Sequence, residues 1–201
     1  MTGVGKILLI DFDNIELSNL NRQISFLEAD IGKNKAEILK KNILKINAEL
    51  DVSIIKKKIT KRNINLFLDK SQFIIDCSDN FETRFLINEY CFKKKKILVS
   101  AALQNFDVQV SSFKAWASKK NPCYECIFPK FSDADTLNCD QMGIVSPIAG
   151  FGGIMQAITV VNIILGCKNK IFRELIIFDG FTRDMKKIRI EKNVKCKICK
   201  Y

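Results

Sequence analysis

The 201-residue sequence contains no histidine. A metal centre built from this chain's nitrogen ligands is therefore set aside, and a knuckle-type site would have to be all sulfur. The sequence also lacks a run of about 18 uncharged apolar residues, the length a membrane-spanning helix needs. Its first residues, MTGVGKILLIDFD, have neither the basic start nor the long apolar stretch and small-residue cleavage site of a secretory leader. No internal repeat and no low-complexity linker is present. These absences lead to the expectation of a cytoplasmic protein, with no membrane contact, folded as one domain over residues 1–201.

Apolar residues make up 47% and charged residues 27%, the ordinary balance of a chain with a buried core. The formal net charge is +11, from 33 Lys and Arg against 22 Asp and Glu. The lysines fall in KKK and KKKK runs without the interleaved aromatics of a base-stacking surface, so nucleic acid is not the expected partner. An acidic protein suits such a surface better.

Strand and helix signals alternate through the first half. Lys6–Phe12 is a short apolar run ending in acid, as a buried strand does. Helical spacing covers Lys35–Ile46 after Gly32 and Asn34. Asp51–Ile55 reads as a strand, and Thr60 is placed to cap a helix running to Leu68. Phe73–Asp76 is a second buried strand. A helix opened by Asp79 or Asn80 runs to about Phe92, and a strand covers Ile97–Ala101. This order predicts an α/β fold with a parallel sheet covered by helices. The pattern then changes. Asp107–Phe113 alternates like an antiparallel strand, and Ser118–Asp140 is polar and loop-like. Ile144–Leu165 is a long apolar helix, interrupted by Gly152 and Gly153 and so expected in a core. Leu175–Asp179 and Ile188–Glu191 close the chain as strands.

Four strings carry chemistry. In IDFDNIELSNLNRQ, Asp11 ends a strand where a doubly wound fold places the acid that binds ribose hydroxyls. Asp13, Asn19, Arg22 and Gln23 follow in the loop, where a guanidinium fork suits phosphate oxygens. Lys35 opens the next helix, at the end of the dipole that favours anions. A solvated acidic turn with a surface arginine would look the same residue by residue. In FIIDCSDN, Asp76 and Asp79 are carboxylates of the type that hold magnesium, although Asp79 also fits a plain helix cap. Two C-x-x-C pairs, Cys123/Cys126 and Cys196/Cys199, give the sulfur set of a closed tetrahedral zinc site, or alternatively two redox dithiols. Finally, Cys139 stands alone in a polar loop, either a reactive thiol or an inert one.

Together these strings resemble the ThiF/MoeB/HesA family, bacterial relatives of the ubiquitin-activating enzymes. The likeness runs from Gly3 to Cys199 through DFDNIELSNLNRQ, DIGKNK, DCSDN with Thr83-Arg84, CYEC, NCDQMGIVSPIAG, LIIFDG and CKIC. RQISF, NCDQMGIVSP and IIFDG are closer to the thiamine branch of the family than to the molybdopterin branch. The resemblance implies a Rossmann-like, mixed and largely parallel sheet with helices on both faces and a zinc knuckle. It implies a homodimeric adenylyltransferase that uses ATP and magnesium on the C-terminal glycine of a ubiquitin-like sulfur-carrier protein, ThiS-like or MoaD-like. By matched position, Asp11 and Asp13 would face the ribose, and Asn19, Arg22, Gln23 and Lys35 the phosphates. Asp79, with Asn80 beside it, would organise magnesium, Cys139 would serve onward transfer, and Cys123, Cys126, Cys196 and Cys199 would hold zinc. The family opens with a strand and a G-x-G-G-x-G phosphate loop, and this sequence starts beyond both. The expectation is therefore that the 201 residues alone bind ATP weakly or not at all. The alternative expectation is a noncatalytic remnant that binds a carrier protein around its zinc.

Overall fold

The computed structural model describes residues 3–129, 143–166 and 169–200. Its contacts group into two compact units, Met1–Asn63 and Ile64–Tyr201, and each unit has a sheet of its own.

In the first unit, strands β1 (Lys6–Ile10) and β2 (Asp51–Ile55) pair in parallel, from Lys6 opposite Asp51 to Ile10 opposite Ile55. Both are rich in branched apolar residues, which pack well on a pleated surface. Helix α1 (Lys35–Ile46) makes the crossover that parallel strands require. Asn34 caps it, its side-chain oxygen accepting the Glu37 N–H at 3.2 Å. Ala36 and Ile38 form its buried stripe. The first strand was expected to reach Phe12 but stops at Ile10. Asp11 N–H still donates to the Ile55 carbonyl at 3.1 Å. The Asp11 carboxylate then accepts the Asp13 N–H at 2.9 Å and turns the chain out of the ladder.

The second unit is built from α2 (Ile64–Leu68), β3 (Phe73–Asp76), α3 (Phe81–Lys93), β4 (Ile97–Gln104), β5 (Asp107–Phe113), α4 (Tyr124–Ile127), α5 (Ser146–Ile164), β6 (Glu174–Asp179) and β7 (Asp184–Arg189). The strands lie in sequence order, β3 parallel to β4 and each later neighbour antiparallel. The mixed α/β class is as the sequence implies. Antiparallel pairing takes over where β4 and β5 meet in a tight turn at Asn105, whose φ is 51°. Several boundaries differ from expectation: β4 runs on to Gln104 past Ala101, and the closing strand is Asp184–Arg189 and not Ile188–Glu191. Thr60 does not cap α2: its N–H donates to the Asn63 side chain, and the helix begins only at Ile64. The stretch expected to be loop contains the short helix α4.

Leu98, Val99, Val108 and Val110 are almost wholly buried on the two central strands. Each such side chain contributes roughly 1.5–3 kcal/mol. Helix α5 packs over β4 and β5 through Ile148, Gly152, Gln156, Thr159 and Val160. It runs unbroken through both glycines. A Cβ at Gly152 would lie 2.6 Å from the Leu103 side chain, so the missing side chain lets helix and sheet approach. Contrary to the sequence reading, α5 is by length and composition apolar enough to cross a membrane, and Ile154, Ile158 and Ile164 are exposed along it.

Candidate functional site

In the first unit the predicted nucleotide residues follow β1 within a tightly hydrogen-bonded stretch. The Asn34 amide donates to the Asp11 carbonyl at 3.1 Å and to the Asp13 carbonyl at 3.0 Å, tying the loop to the start of α1. Lys35 N–H donates to the same Asp13 carbonyl at 3.0 Å. Its Nζ lies 3.5 Å from the Asp13 carboxylate, so a largely buried cation and a partly exposed anion share this corner. Asn19 is buried and accepts the Glu16 N–H at 3.1 Å. Its carbonyl accepts the N–H groups of Arg22 and Gln23. The Arg22 guanidinium rests on the Ser18 carbonyl and the Asn21 side chain, at 2.9 and 3.0 Å, in an exposed position. The Gln23 side-chain oxygen is buried without a partner, an unmet acceptor in an otherwise satisfied loop.

In the second unit, Asp79 and Asn80 stand in the turn between β3 and α3. Asn80, not Asp79, is the helix cap: its side chain accepts the Thr83 N–H at 2.9 Å. Its amide also donates to the Asp79 carboxylate at 3.1 Å. Asp79 is thus exposed and steered by its neighbour, with carboxylate lone pairs to spare. Asp76 is a different case. It is 1% exposed, and its oxygens accept from Ser78 N–H and Oγ and from Ser100 Oγ. Its carboxylate is thus held by three bonds inside the fold, unlike the exposed Asp79.

Sequence reasoning passed over what holds this turn. Arg84 is buried in α3 and donates to the carbonyls of Ser78 and Ala101 and, at 3.4 Å, to Ser100 Oγ. Ser100 therefore bridges a buried cation and a buried anion. Gln156 of α5 adds a hydrogen bond to the Asp76 carbonyl at 2.9 Å. The only trace in the sequence is the pair Thr83-Arg84 after DCSDN, and nothing in it reveals that Arg84 points inward.

The four knuckle cysteines come together. Their sulfurs all lie within 4.8 Å of one another, with contacts of 3.9 Å for Cys123 and Cys126, 3.6 Å for Cys123 and Cys196, and 3.4 Å for Cys126 and Cys199. A tetrahedral ion with Zn–S bonds of about 2.3 Å separates its sulfurs by about 3.8 Å. The donor set can hold a metal ion. Each pair has its own local turn: Cys126 N–H donates to the Cys123 carbonyl, and Cys196 N–H to the Asn193 carbonyl, both at 3.0 Å. Crowding splits the thiols. Hydrogen bonds from Cys123 and Cys199 hold the Cys126 thiol well below the ordinary range, while the bond it gives to Cys126 pushes Cys123 up. A divalent cation would replace the shared protons and relieve that conflict. Cys139 lies outside the described residues.

A mixed α/β fold, a carboxylate turn at the end of β3 and a four-cysteine knuckle able to hold a metal ion define a class of cysteine-knuckle α/β domain. The chain belongs to the ThiF family, whose match covers residues 1–198. It is 31% identical over 199 residues to the adenylyltransferase and sulfurtransferase MOCS3 of Culex quinquefasciatus, which covers 98% of this chain and 45% of that protein. It is 28% identical to the sulfur carrier protein adenylyltransferase of Thermus thermophilus, over 98% of this chain and 74% of that one. The fold is similar to Escherichia coli MccB solved with ATP, with a TM-score of 0.83 at 25% identity, over 98% of this chain and 60% of that one. The chain thus spans about half the length of the first of these relatives.

Proposed function

We propose that the chain supplies much of an ATP-dependent adenylyltransferase domain that activates the C-terminal glycine of a ubiquitin-like sulfur-carrier protein. The family match over residues 1–198 carries this reading. It is supported by relatives named as adenylyltransferases and by a like-folded protein solved with ATP. In the reaction, a carrier carboxylate oxygen attacks the α-phosphorus of ATP. The bond to the bridging oxygen breaks, pyrophosphate leaves, and the carrier becomes an acyl-adenylate. Such chemistry needs positioning and charge neutralisation more than covalent help.

On this reading Asp11 and Asp13 face the ribose, and Asn19, Arg22, Gln23 and Lys35 face the phosphates. Lys35 offers an amine held only by a partly exposed partner. Asp79, steered by Asn80, would hold magnesium, which neutralises phosphate charge when bound. Cys123, Cys126, Cys196 and Cys199 would hold one structural zinc. Cys139 would serve sulfur handover after adenylylation. The assembly is a homodimer in the cytoplasm. The carrier is of the ThiS-like kind of thiazole synthesis, or of a related sulfur-transfer route.

Carrier-dependent exchange of labelled pyrophosphate into ATP tests this, with a ThiS-like and a MoaD-like carrier run side by side. Exchange with either supports adenylylation, and the better carrier names the branch. In a form that also carries the family's phosphate loop, carrier binding without exchange would turn the assignment to a noncatalytic binding module.

A further inference from the structure

Helix α3 buries an unusual stripe. Arg84, Ile87, Asn88 and Cys91 recur at helical spacing, and two of them are polar. Asn88 is 2% exposed, so its amide must find partners or cost the fold dearly. Both ends are used on successive residues of the knuckle. Its side-chain oxygen accepts the Tyr124 N–H at 2.9 Å, and its Nδ2 reaches the Cys123 sulfur at 3.7 Å. Tyr124 is itself fixed by an edge contact to Phe113 and a tilted stack on Phe128.

We propose that Asn88 is an outer-shell residue of the metal knuckle, donating an N–H···S hydrogen bond to the Cys123 thiolate while clamping the turn that follows it. This inference rests on the zinc reading. Four thiolates around one divalent ion leave two negative charges in a buried site. An amide donor aimed at one sulfur draws off part of that charge without competing for the metal. The acceptor half of the same amide fixes the backbone between Cys123 and Cys126, and hence the direction in which both sulfurs point. A buried asparagine that only filled space would not need its nitrogen against sulfur. A neutral thiol would accept only weakly.

The test uses the whole chain with Asn88→Ala, which loses both bonds, and Asn88→Asp, which keeps the acceptor for Tyr124 and loses the donor. Asn88→Ser serves if the buried aspartate prevents folding. Wild-type protein should hold one equivalent of zinc. The variants should release it to a chelator about 10-fold to 100-fold faster, the range seen when such outer partners are removed. After cobalt substitution, the thiolate-to-metal absorption band should move to longer wavelength in Asn88→Ala, because a thiolate without its donor is easier to oxidise. Release rates within twofold of wild type together with an unmoved band overturn the inference. A folded wild-type protein with no metal overturns the zinc reading instead, so the two failures are distinguishable.

Discussion

The polar stretch after β1 and the cysteine knuckle are both spelled in short motifs, yet they are held in opposite ways. The first is local. Asp11 turns onto Asp13, Asn19 gathers Glu16, Arg22 and Gln23, and Asn34 reaches back to Asp11 and Asp13. Its charged side chains are partly exposed, Arg22 and Asp13 among them. The second is long-range. Its sulfurs come from turns 73 residues apart, Cys123 and Cys199 are almost wholly buried, and a helix from elsewhere supplies Asn88. On the proposed function, a loop that grips and releases a nucleotide holds its charged side chains by short local ties. A centre that must hold shape spends every donor.

The largest expected effect is at the knuckle. Cys196→Ser should lose the metal and unfold at a markedly lower temperature, since a structural zinc contributes on the order of 10 kcal/mol to small zinc domains. Metal analysis beside a melting curve reads both, and a variant that melts like wild type after losing its metal would remove the knuckle from the stability account. Next comes the buried pair bridged by Ser100. Arg84→Met leaves Asp76 without its counter-charge and should cost about 3 kcal/mol in chemical denaturation, without releasing zinc. An unchanged midpoint would mean that the bridge carries no net stability.

The local stretch should respond in activity instead. In a form that also carries the family's phosphate loop, alanine at Arg22, Lys35 or Asp79 should lower carrier-driven pyrophosphate exchange about 100-fold or more, with stability near wild type. Unchanged exchange in all three would move the active centre elsewhere. The smallest effect is at the cap. Asn34→Ala should cost about 1–2 kcal/mol, toward the upper end for a cap because the amide also ties down two loop carbonyls. A loss below a few tenths would show those ties to be idle.

The sequence reveals the regular elements well because periodicity speaks directly. The spans Lys35–Ile46, Asp51–Ile55, Phe73–Asp76 and Asp107–Phe113 coincide with observed elements. The gathering of the four knuckle cysteines was legible for a similar reason, since the paired spacing without histidine points to one sulfur donor set able to hold a metal. The packing of α3 was not. Arg84 and Asn88 would be placed on a solvated face by their polarity, and only the inward-facing carbonyls and the knuckle sulfur explain their burial. The separate duties of Asp76 and Asp79 were equally hidden. Two acids three positions apart look alike until Ser78 and Ser100 are seen to consume one of them.

The separation of the knuckle's halves has a consequence for how the protein is made. Cys126 meets Cys199 across 73 residues of chain. At an elongation rate of roughly 5–20 residues per second, the first dithiol waits on the order of 4–15 s on the ribosome before its partners are synthesised. During that interval it is an open pair of thiols, free to capture a stray soft metal or be oxidised. Metal supply and thiol-reducing capacity during translation, rather than after it, would then set the fraction of chains that close correctly.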